Sequence, residues 1–341
     1  NDYEYVEVVN TTADKTIDLK DLGIQDGGGT TSDATPEGKS RIYNRSNRFP
    51  LRLGPGEYAI IGQNHTNHYL GLHATGTYIT PDVNFSNSGD QAVVYRLSDN
   101  TVIAEVDYEA ASAAFADQSS TTMDGRSLSL IDTGLDGSQG ANWINATIPF
   151  RVGTPALPDT SYGSPGAANR IANKAGSVII TEVFPNPPPG GEPNAEFFEV
   201  WNPDTSGPVD LAGLIFADDS GNSFSVSDRP GLTVSGGPQK SYIPAGGIFV
   251  FGNSRGASDG VDTTFGDTYG ANITSYDYAN SWTFLNSSDA VRMIRCRAGG
   301  DSTVIHGMSY SSAPAGQSWA LSSLSDTSTY ALREPNPTVA P

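Results

Sequence analysis

Length, composition and charge limit what this chain can be. Its 341 residues suffice for two domains, and 38 Gly and 22 Pro beside only 17% charged residues suit short strands joined by turns. The formal net charge of -19 disfavours nucleic-acid backbones and anionic membrane surfaces as partners, and no apolar run is long enough to insert into a bilayer. We therefore expect a β-rich protein that binds no nucleic acid and inserts into no membrane.

The predicted strands form two series along the chain, each strand bounded by Gly, Pro, Asn or Asp turn signals. The first series covers residues 5–9, 17–19, 22–24, 58–62, 91–96, 102–108 and 127–130. The second covers residues 178–184, 197–201, 209–211, 214–216, 248–252, 290–296, 304–310 and 318–321. A short helical turn is expected only at 110–116. Short strands at this spacing predict sandwiches of immunoglobulin type.

The second series is a copy of the first. Residues 4–10 return as 196–202, and residues 18–22 return as 210–214, both 192 residues later. A repeat of this length has the size of a whole domain. A stretch rich in Pro, Gly and small residues, 155–169, separates the copies. We predict an all-β chain of two tandem sandwiches: a domain over 1–170, a linker over 171–177 and a domain over 178–341.

Several segments, in their order and spacing, resemble the lamin tail domain: residues 163–169, 179–183, 196–202, 209–214 and 243–252. The resemblance implies an immunoglobulin-like β-sandwich without general catalytic residues. It also implies a bacterial setting in secreted or surface proteins, where such modules sometimes accompany nucleases or other hydrolases. No lamin-type coiled coil or nuclear signal accompanies the segments, and the acidic charge speaks against a chromatin role.

The copies differ at their start. The second copy opens with an apolar strand at 178–184, whereas the first has only residues 1–3 in that place. One explanation is that the sequence is a piece of a longer array. The other is that a neighbouring subunit supplies a strand to the edge formed by Tyr5, Val6 and Val8. Such an exchange builds a head-to-tail filament when the operation does not close.

Three polar residues lie among apolar neighbours. Glu7 and Glu199 occupy equivalent positions in the two copies, where a carboxyl group needs a hydrogen-bond partner or has a raised pKa. We expect each to accept a backbone N–H group from a neighbouring loop rather than to act in catalysis. Cys296, the one cysteine, lies in a strand-like run, so we expect a buried thiol.

Two groups of side chains could bind a metal ion. Imidazoles close in sequence can share zinc or copper, and carboxylates in a Gly-rich loop suit calcium. The alternatives are surface histidines and ordinary turn residues. The candidates are His65, His68 and His73 in the first copy and Asp259, Asp262 and Asp267 in the second.

Loop aromatics are the remaining candidates. Tyr276, Tyr278 and Trp282 could stack on a carbohydrate, or simply cover an end of the sandwich. No motif of a serine hydrolase, zinc protease or P-loop enzyme occurs. We therefore expect a non-catalytic extracellular or cell-surface protein with a structural or adhesive role. Its partners would be copies of itself or other surface proteins, and no cofactor is expected, calcium excepted. The alternative is a carbohydrate- or calcium-binding accessory region of a larger secreted hydrolase.

Overall fold

The computed structural model describes fifteen stretches of the chain: 5–26, 39–42, 52–62, 77–79, 85, 90–108, 125–154, 157–188, 195–226, 233–234, 237–238, 241–252, 275–277, 284 and 287–336. The chain divides into two compact units, Asn1–Asn169 and Arg170–Pro341. The described parts of both are all-β, and their only helical segments are short 3-10 turns at Leu19–Asp21, Gly140–Asn142 and Ala298–Gly300. None of these is a helix that could cross a bilayer.

The first unit contains two main sheets. Its described strands are β1 (Tyr5–Val9), β2 (Ile17–Asp18), β3 (Leu22–Asp26), β4 (Lys39–Arg41), β5 (Arg52–Leu53), β6 (Tyr58–Gly62), β7 (Thr77–Ile79), β8 (Gln91–Arg96), β9 (Val102–Asp107), β10 (Leu128–Leu130), β11 (Trp143–Asn145), β12 (Pro149–Thr154) and β13 (Leu157–Tyr162). One sheet has the order β1-β6-β7 and the other β4-β3-β8-β9, while β2 with β5, β10 with β11 and β12 with β13 form pairs. The core between the main sheets includes Leu19, Ile24, Ile61 and Val94.

The second unit is a sandwich of one six-stranded and one four-stranded sheet. Its described strands are β14 (Ile179–Phe184), β15 (Phe197–Trp201), β16 (Val209–Asp210), β17 (Ile215–Ala217), β18 (Ser223–Ser225), β19 (Thr233–Val234), β20 (Gly237–Pro238), β21 (Tyr242–Ile243), β22 (Ile248–Gly252), β23 (Ser275–Asp277), β24 (Asp289–Cys296), β25 (Ser302–Tyr310), β26 (Ser318–Ser323) and β27 (Asp326–Arg333). The sheet orders are β23-β22-β15-β14-β26-β27 and β18-β17-β24-β25, with the pairs β16 with β21 and β19 with β20 beside them.

Aromatic packing holds the two layers of the second unit together. Phe198 and Phe251 of the six-stranded sheet stack with ring centroids 4.8 Å apart, and Phe216 of the four-stranded sheet lies 4.6 Å from Phe251. All three side chains are fully buried. Burying a phenylalanine contributes about 1.5–3 kcal/mol, and ring pairs at these distances add to it.

A matching bulge recurs in one strand pair of each unit. In the first unit the β8–β9 ladder shifts register between Val94 and Tyr95, which leaves Ile103 as the extra residue of β9. The β24–β25 ladder shifts at the equivalent place and leaves Ile305 as the extra residue of β25. A bulge is a specific departure from the ladder, so its recurrence aligns β8 and β9 with β24 and β25 residue by residue.

The joining region belongs to the second unit. Ile171, expected in a linker, bridges to Asp210, and the N–H group of Ala172 donates to the carbonyl oxygen of Asp210 at 2.9 Å. Part of the stretch expected to separate the copies is ordered as well, because β13 pairs with β12 along Leu157–Tyr162.

The expectation of a buried thiol at Cys296 is wrong. Cys296 is exposed, whereas Arg295 beside it is 1% exposed. Neighbouring residues of a strand point to opposite faces, and here the arginine takes the inner face. Its guanidinium group donates to the carbonyl oxygens of Ala172 at 2.8 Å and Ala212 at 2.6 Å, which offsets the cost of burying the charge.

Candidate strand-acceptor site

The outer edge of β1 carries backbone groups that point away from its one described neighbour. The register of β1 with β6 continues one residue further, where the N–H group of Asn10 donates to the carbonyl oxygen of Glu57 at 3.1 Å. Hydrogen-bonded and non-bonded pairs alternate in an antiparallel ladder. The backbone groups of Val6 and Val8 therefore face β6, and those of Tyr5, Glu7 and Val9 face the opposite edge.

The equivalent edge in the second unit is filled. Residues 197–201 of β15 correspond to 5–9 of β1, and β14 pairs antiparallel with them. Glu182 lies opposite Glu199, and Phe184 lies opposite Phe197. On its other side β14 pairs with β26 through Glu182 and Val183. No strand holds the place of β14 among the described residues of the first unit.

Side chains that β14 and the segment before it cover in the second unit are more exposed in the first unit. Ile305 is 1% exposed, but Ile103, the same bulge residue in the first unit, is 51% exposed. In the second unit the segment that leads into β14 runs beside this residue, since the N–H group of Gly176 donates to the carbonyl oxygen of Ile305 at 3.2 Å. Val6 and Val8 are likewise half-buried, whereas their counterparts Phe198 and Val200 are fully buried.

Strand β10 forms the far side of the gap. The carbonyl oxygen of Ser127 accepts from Ala146 in the β11 region, and the N–H group of Ile131 donates to Asn142, each at 2.9 Å. By alternation the backbone groups of Leu130 point away from β11. We call the space between these edges the β1 slot, defined by the outer edge of β1, Ile103 of β9 and Leu130 of β10.

Residues 163–169 bridge the two walls of the slot through polar contacts. The N–H group of Gly166 donates to Oε2 of Glu7, and Nδ2 of Asn169 donates to the carbonyl oxygen of Leu130 at 3.0 Å. Gly163 is required where the segment begins, because a Cβ atom there would lie 2.2 Å from Oγ of Ser127. The bond from Asn169 already satisfies the carbonyl oxygen of Leu130, whereas no described strand pairs with the backbone of Tyr5, Glu7 and Val9 on this side. The bond from Gly166 confirms for Glu7 that a neighbouring loop supplies a backbone N–H group.

The electrostatics of the slot are set by burial. Burial raises the pKa of Glu7 to about 7, against the opposing effect of the hydrogen bond from Gly166. Burial likewise raises the pKa of Tyr5 to about 12, opposed by a hydrogen bond to Ser127 and reinforced by the charge of Glu7. Glu7 therefore changes its charge near neutral pH at the wall of the slot.

The predicted acceptor residues have different roles within β1. Tyr5 presents its backbone to the slot, whereas Val6 and Val8 pair with β6 and pack against the core. Sequence reasoning did not assign Glu7, Val9, Ile103 or Leu130 to this slot. The available signal was the period-two alternation along β1, which puts Tyr5, Glu7 and Val9 together.

The candidates for ligand binding fall mainly outside the described residues: His65, His68, His73, Asp259, Asp262, Asp267, Tyr278 and Trp282. Tyr276 lies in β23, where its backbone is the parallel partner of Phe251. Within the described stretches, no three His, Cys, Asp or Glu side chains converge closely enough to hold a metal ion. The metal and carbohydrate sites remain predictions.

Comparison with known proteins identifies the second unit. Residues 172–312 match the family model described as Lamin Tail Domain, a span that includes every strand from β14 to β25. No curated protein and no solved structure matches the chain. The first unit lies outside the match, and its likeness to the second rests on the repeated segments and the shared bulge.

Proposed function

We propose that this chain, which contains a lamin tail domain at residues 172–312, is a non-catalytic structural protein of the cell exterior that assembles by accepting a β-strand in the β1 slot. The observation that carries the proposal is the exposure of Ile103, 51%, against 1% for Ile305 at the same bulge. The proposal is supported by the second unit, where β14 lies between β15 and β26 at the position that no described strand takes in the first unit.

The filled site defines the chemistry of the occupant. The strand runs antiparallel to β1, because β14 runs antiparallel to β15. It places apolar side chains inward, as Ile180 and Val183 of β14 do in the core of the second unit. Its backbone pairs with Tyr5, Glu7 and Val9. Strand addition of this kind takes its affinity from main-chain hydrogen bonds and its specificity from alternate side chains.

A neighbouring subunit is the proposed source of the strand. The contact is then heterologous, with the slot on one subunit and the strand on the next, and such contacts propagate into filaments when they do not close into rings. Each subunit carries a formal net charge of -19, so the subunits repel one another at low ionic strength. Salt screens this repulsion, and assembly should increase from about 10 mM to 150 mM salt.

The proposal is tested with the native protein and a strand peptide. Electron microscopy and mass photometry over a range of concentrations would show ordered filaments or a ladder of oligomers. A labelled peptide of residues 176–185, which contains β14, should bind the protein and shorten those assemblies. Ile103→Lys should abolish both effects, because the lysine would place a charge where the strand packs.

The control variant is Val102→Lys. Val102 is 52% exposed and its counterpart Val304 is 55% exposed even beside a complete set of strands, so this position lies outside the slot. Peptide binding that is equal in the wild type and in Ile103→Lys would overturn the slot. A protein that binds the peptide yet stays monomeric at every concentration would retain the slot and overturn the filament.

A further inference from the structure

The filled site of the second unit contains a pair of acidic side chains. Glu182 of β14 and Glu199 of β15 are cross-strand partners, 2% and 0% exposed, and their carboxyl groups are hydrogen-bonded to each other. Such a bond requires one of the two groups to carry a proton. Glu182 also contacts Ser318 and accepts from the N–H group of Asn336 at 3.3 Å. The inserted strand is therefore held by a side chain as well as by its backbone.

The first unit offers a reduced set of partners at this position. Glu7 corresponds to Glu199, and Ser127 corresponds to Ser318. Ser127 donates to the carbonyl oxygen of Tyr162 at 2.8 Å and is also hydrogen-bonded to the hydroxyl group of Tyr5, so its one proton and an acceptor site are already used. Phe197, the counterpart of Tyr5, has no hydroxyl group to do this. An incoming side chain opposite Glu7 therefore meets the Glu7 carboxyl group as its main polar partner, and one oxygen of that group, Oε2, already accepts from the N–H group of Gly166.

We propose that the β1 slot selects its strand by the residue opposite Glu7, and that this residue is a hydrogen-bond donor, lysine or glutamine, rather than an ionised carboxylate. The inference rests on the proposed function, since it names the partner of the same slot. Two carboxylates within hydrogen-bonding distance cannot both be ionised without a large cost, whereas an ammonium or amide group satisfies Glu7 directly.

The selection depends on pH, because Glu7 gains a proton in the neutral range. A glutamate opposite Glu7 binds only when the pair holds one proton, so its affinity rises as the pH falls. A lysine requires ionised Glu7, so its affinity falls as the pH falls. The titratable groups that face Glu7 are the phenols of Tyr5 on β1 and Tyr58 on β6, whose pKa values burial raises, and segment 163–169 contributes no charge. Neither phenol changes its charge between pH 5.5 and 8.5.

Peptides of residues 176–185 test the inference. The natural sequence and its Glu182→Gln and Glu182→Lys variants are each titrated into the protein at pH 5.5 and pH 8.5. At pH 8.5 the lysine and glutamine peptides should bind about tenfold more tightly than the natural peptide, the factor that corresponds to one pKa unit. At pH 5.5 the natural peptide should overtake the lysine peptide. The glutamine peptide, which can both donate and accept, should vary least.

The control protein is Glu7→Gln, checked by circular dichroism for a native fold. Its affinities for the lysine and glutamine peptides should be the same at both pH values, because the new amide side chain has no proton to gain or lose in this range. If the wild-type protein ranks the three peptides in the same order of affinity at both pH values, the proposed selection by Glu7 is wrong, but strand binding in the β1 slot is not contradicted. Failure of every peptide to bind at either pH overturns the slot itself, so the two proposals fail in distinguishable ways. A peptide could also bind by replacing β14 in the second unit. The Ile103→Lys protein measures this, because its second unit is unchanged and any peptide that it still binds must bind there.

Discussion

The buried guanidinium group of Arg295 donates from Nε to the carbonyl oxygen of Ala172 at 2.8 Å. This bond ties the start of the second unit to β24, and a second bond from Nη1 reaches Ala212. Arg295→Ala would leave two carbonyl groups without their donors and a cavity beside them. We expect a loss of about 3–5 kcal/mol in the free energy of unfolding, measured by urea denaturation.

The matched control is Arg96→Ala. Arg96 is the counterpart of Arg295 in the first unit, but it lies at the surface with an ion pair to Asp99 at 2.9 Å. Removing an exposed pair of this kind should change stability by less than about 1 kcal/mol. Equal losses in the two variants would contradict a special role for the buried arginine.

The bulge residues provide a second prediction. Ile305→Lys buries an ammonium group in the core of the second unit and should cost about 3 kcal/mol or more. Ile103→Lys replaces a side chain that is 51% exposed and should stay within about 0.5 kcal/mol of the wild type in the absence of a strand. Thermal unfolding of the two variants side by side measures the contrast. A large loss in Ile103→Lys would mean that the slot is closed in solution.

Much of the architecture follows from local sequence, whereas the slot does not. Strands β1 and β15 were predicted because apolar runs such as 5–9 end at turn residues, which is a local signal. The direction of the Glu7 backbone depends on the register with β6, fixed by Asn10 and Glu57, which are far apart in sequence. The hairpin of β12 and β13 was missed because its Pro and polar residues resemble a loop. Arg295 was missed because only tertiary carbonyl partners make an inward-facing arginine stable.

The acidic pair predicts a pH dependence of stability. Burial raises the pKa of Glu182 above its ordinary value of 4.5, so the folded state holds a proton that the unfolded chain releases. The stabilisation is complete below pH 4.5 and is lost as the pH rises through the folded pKa. Glu182→Gln supplies an amide donor to Glu199 without a proton to lose. The variant should therefore be more stable than the wild type at pH 8 by about 1 kcal/mol, with a smaller or reversed difference at pH 4.5.

Chemical denaturation of the wild type and the variant at five pH values would measure this effect. Glu334→Gln, at an exposed position, is the charge control. Parallel pH curves for the wild type and Glu182→Gln would show that the pair is not the source of the dependence.

Asn10 and Asn202 are equivalent residues, and we expect their substitution to lower the free energy of unfolding of their respective units by similar amounts. Asn10 donates from Nδ2 to the carbonyl oxygens of Lys15 at 2.7 Å and Leu53 at 2.8 Å, and both Asn10 and Asn202 are 0% exposed. Asn202 donates to Gly207 and Pro244, each at 3.0 Å. Replacing either by Asp turns the donor into an acceptor that faces carbonyl groups, at a cost of about 2–3 kcal/mol.

Asn100→Asp is the control for these substitutions. Asn100 has a positive φ of 58° at an exposed turn, a conformation that aspartate tolerates. Its unfolding free energy should change by less than about 0.5 kcal/mol. A loss confined to one of Asn10→Asp and Asn202→Asp would show that the two turns are not equivalent.

Amide hydrogen exchange should report the open edge directly. The N–H groups of Tyr5, Glu7 and Val9 face the slot and should exchange quickly, while those of Val6 and Val8 are bonded to β6 and should exchange slowly. In β15 the same alternation should be absent, because β14 covers its edge. A bound peptide should slow the hydrogen exchange of the N–H groups of Tyr5, Glu7 and Val9 and leave that of Val6 and Val8 unchanged. Uniform protection along β1 without peptide would contradict an open edge.

Because one copy of the fold encloses its strand and the other leaves the place open, the two copies should not unfold together. A calorimetric scan should show two heat-absorption peaks instead of one cooperative transition. The lower peak, from the first unit, should move upward with the concentration of any strand that fills the slot, since a ligand bound only to the folded state stabilises it by mass action. In an assembly, the unfolding temperature of each first unit then depends on the neighbouring subunit whose strand fills its slot.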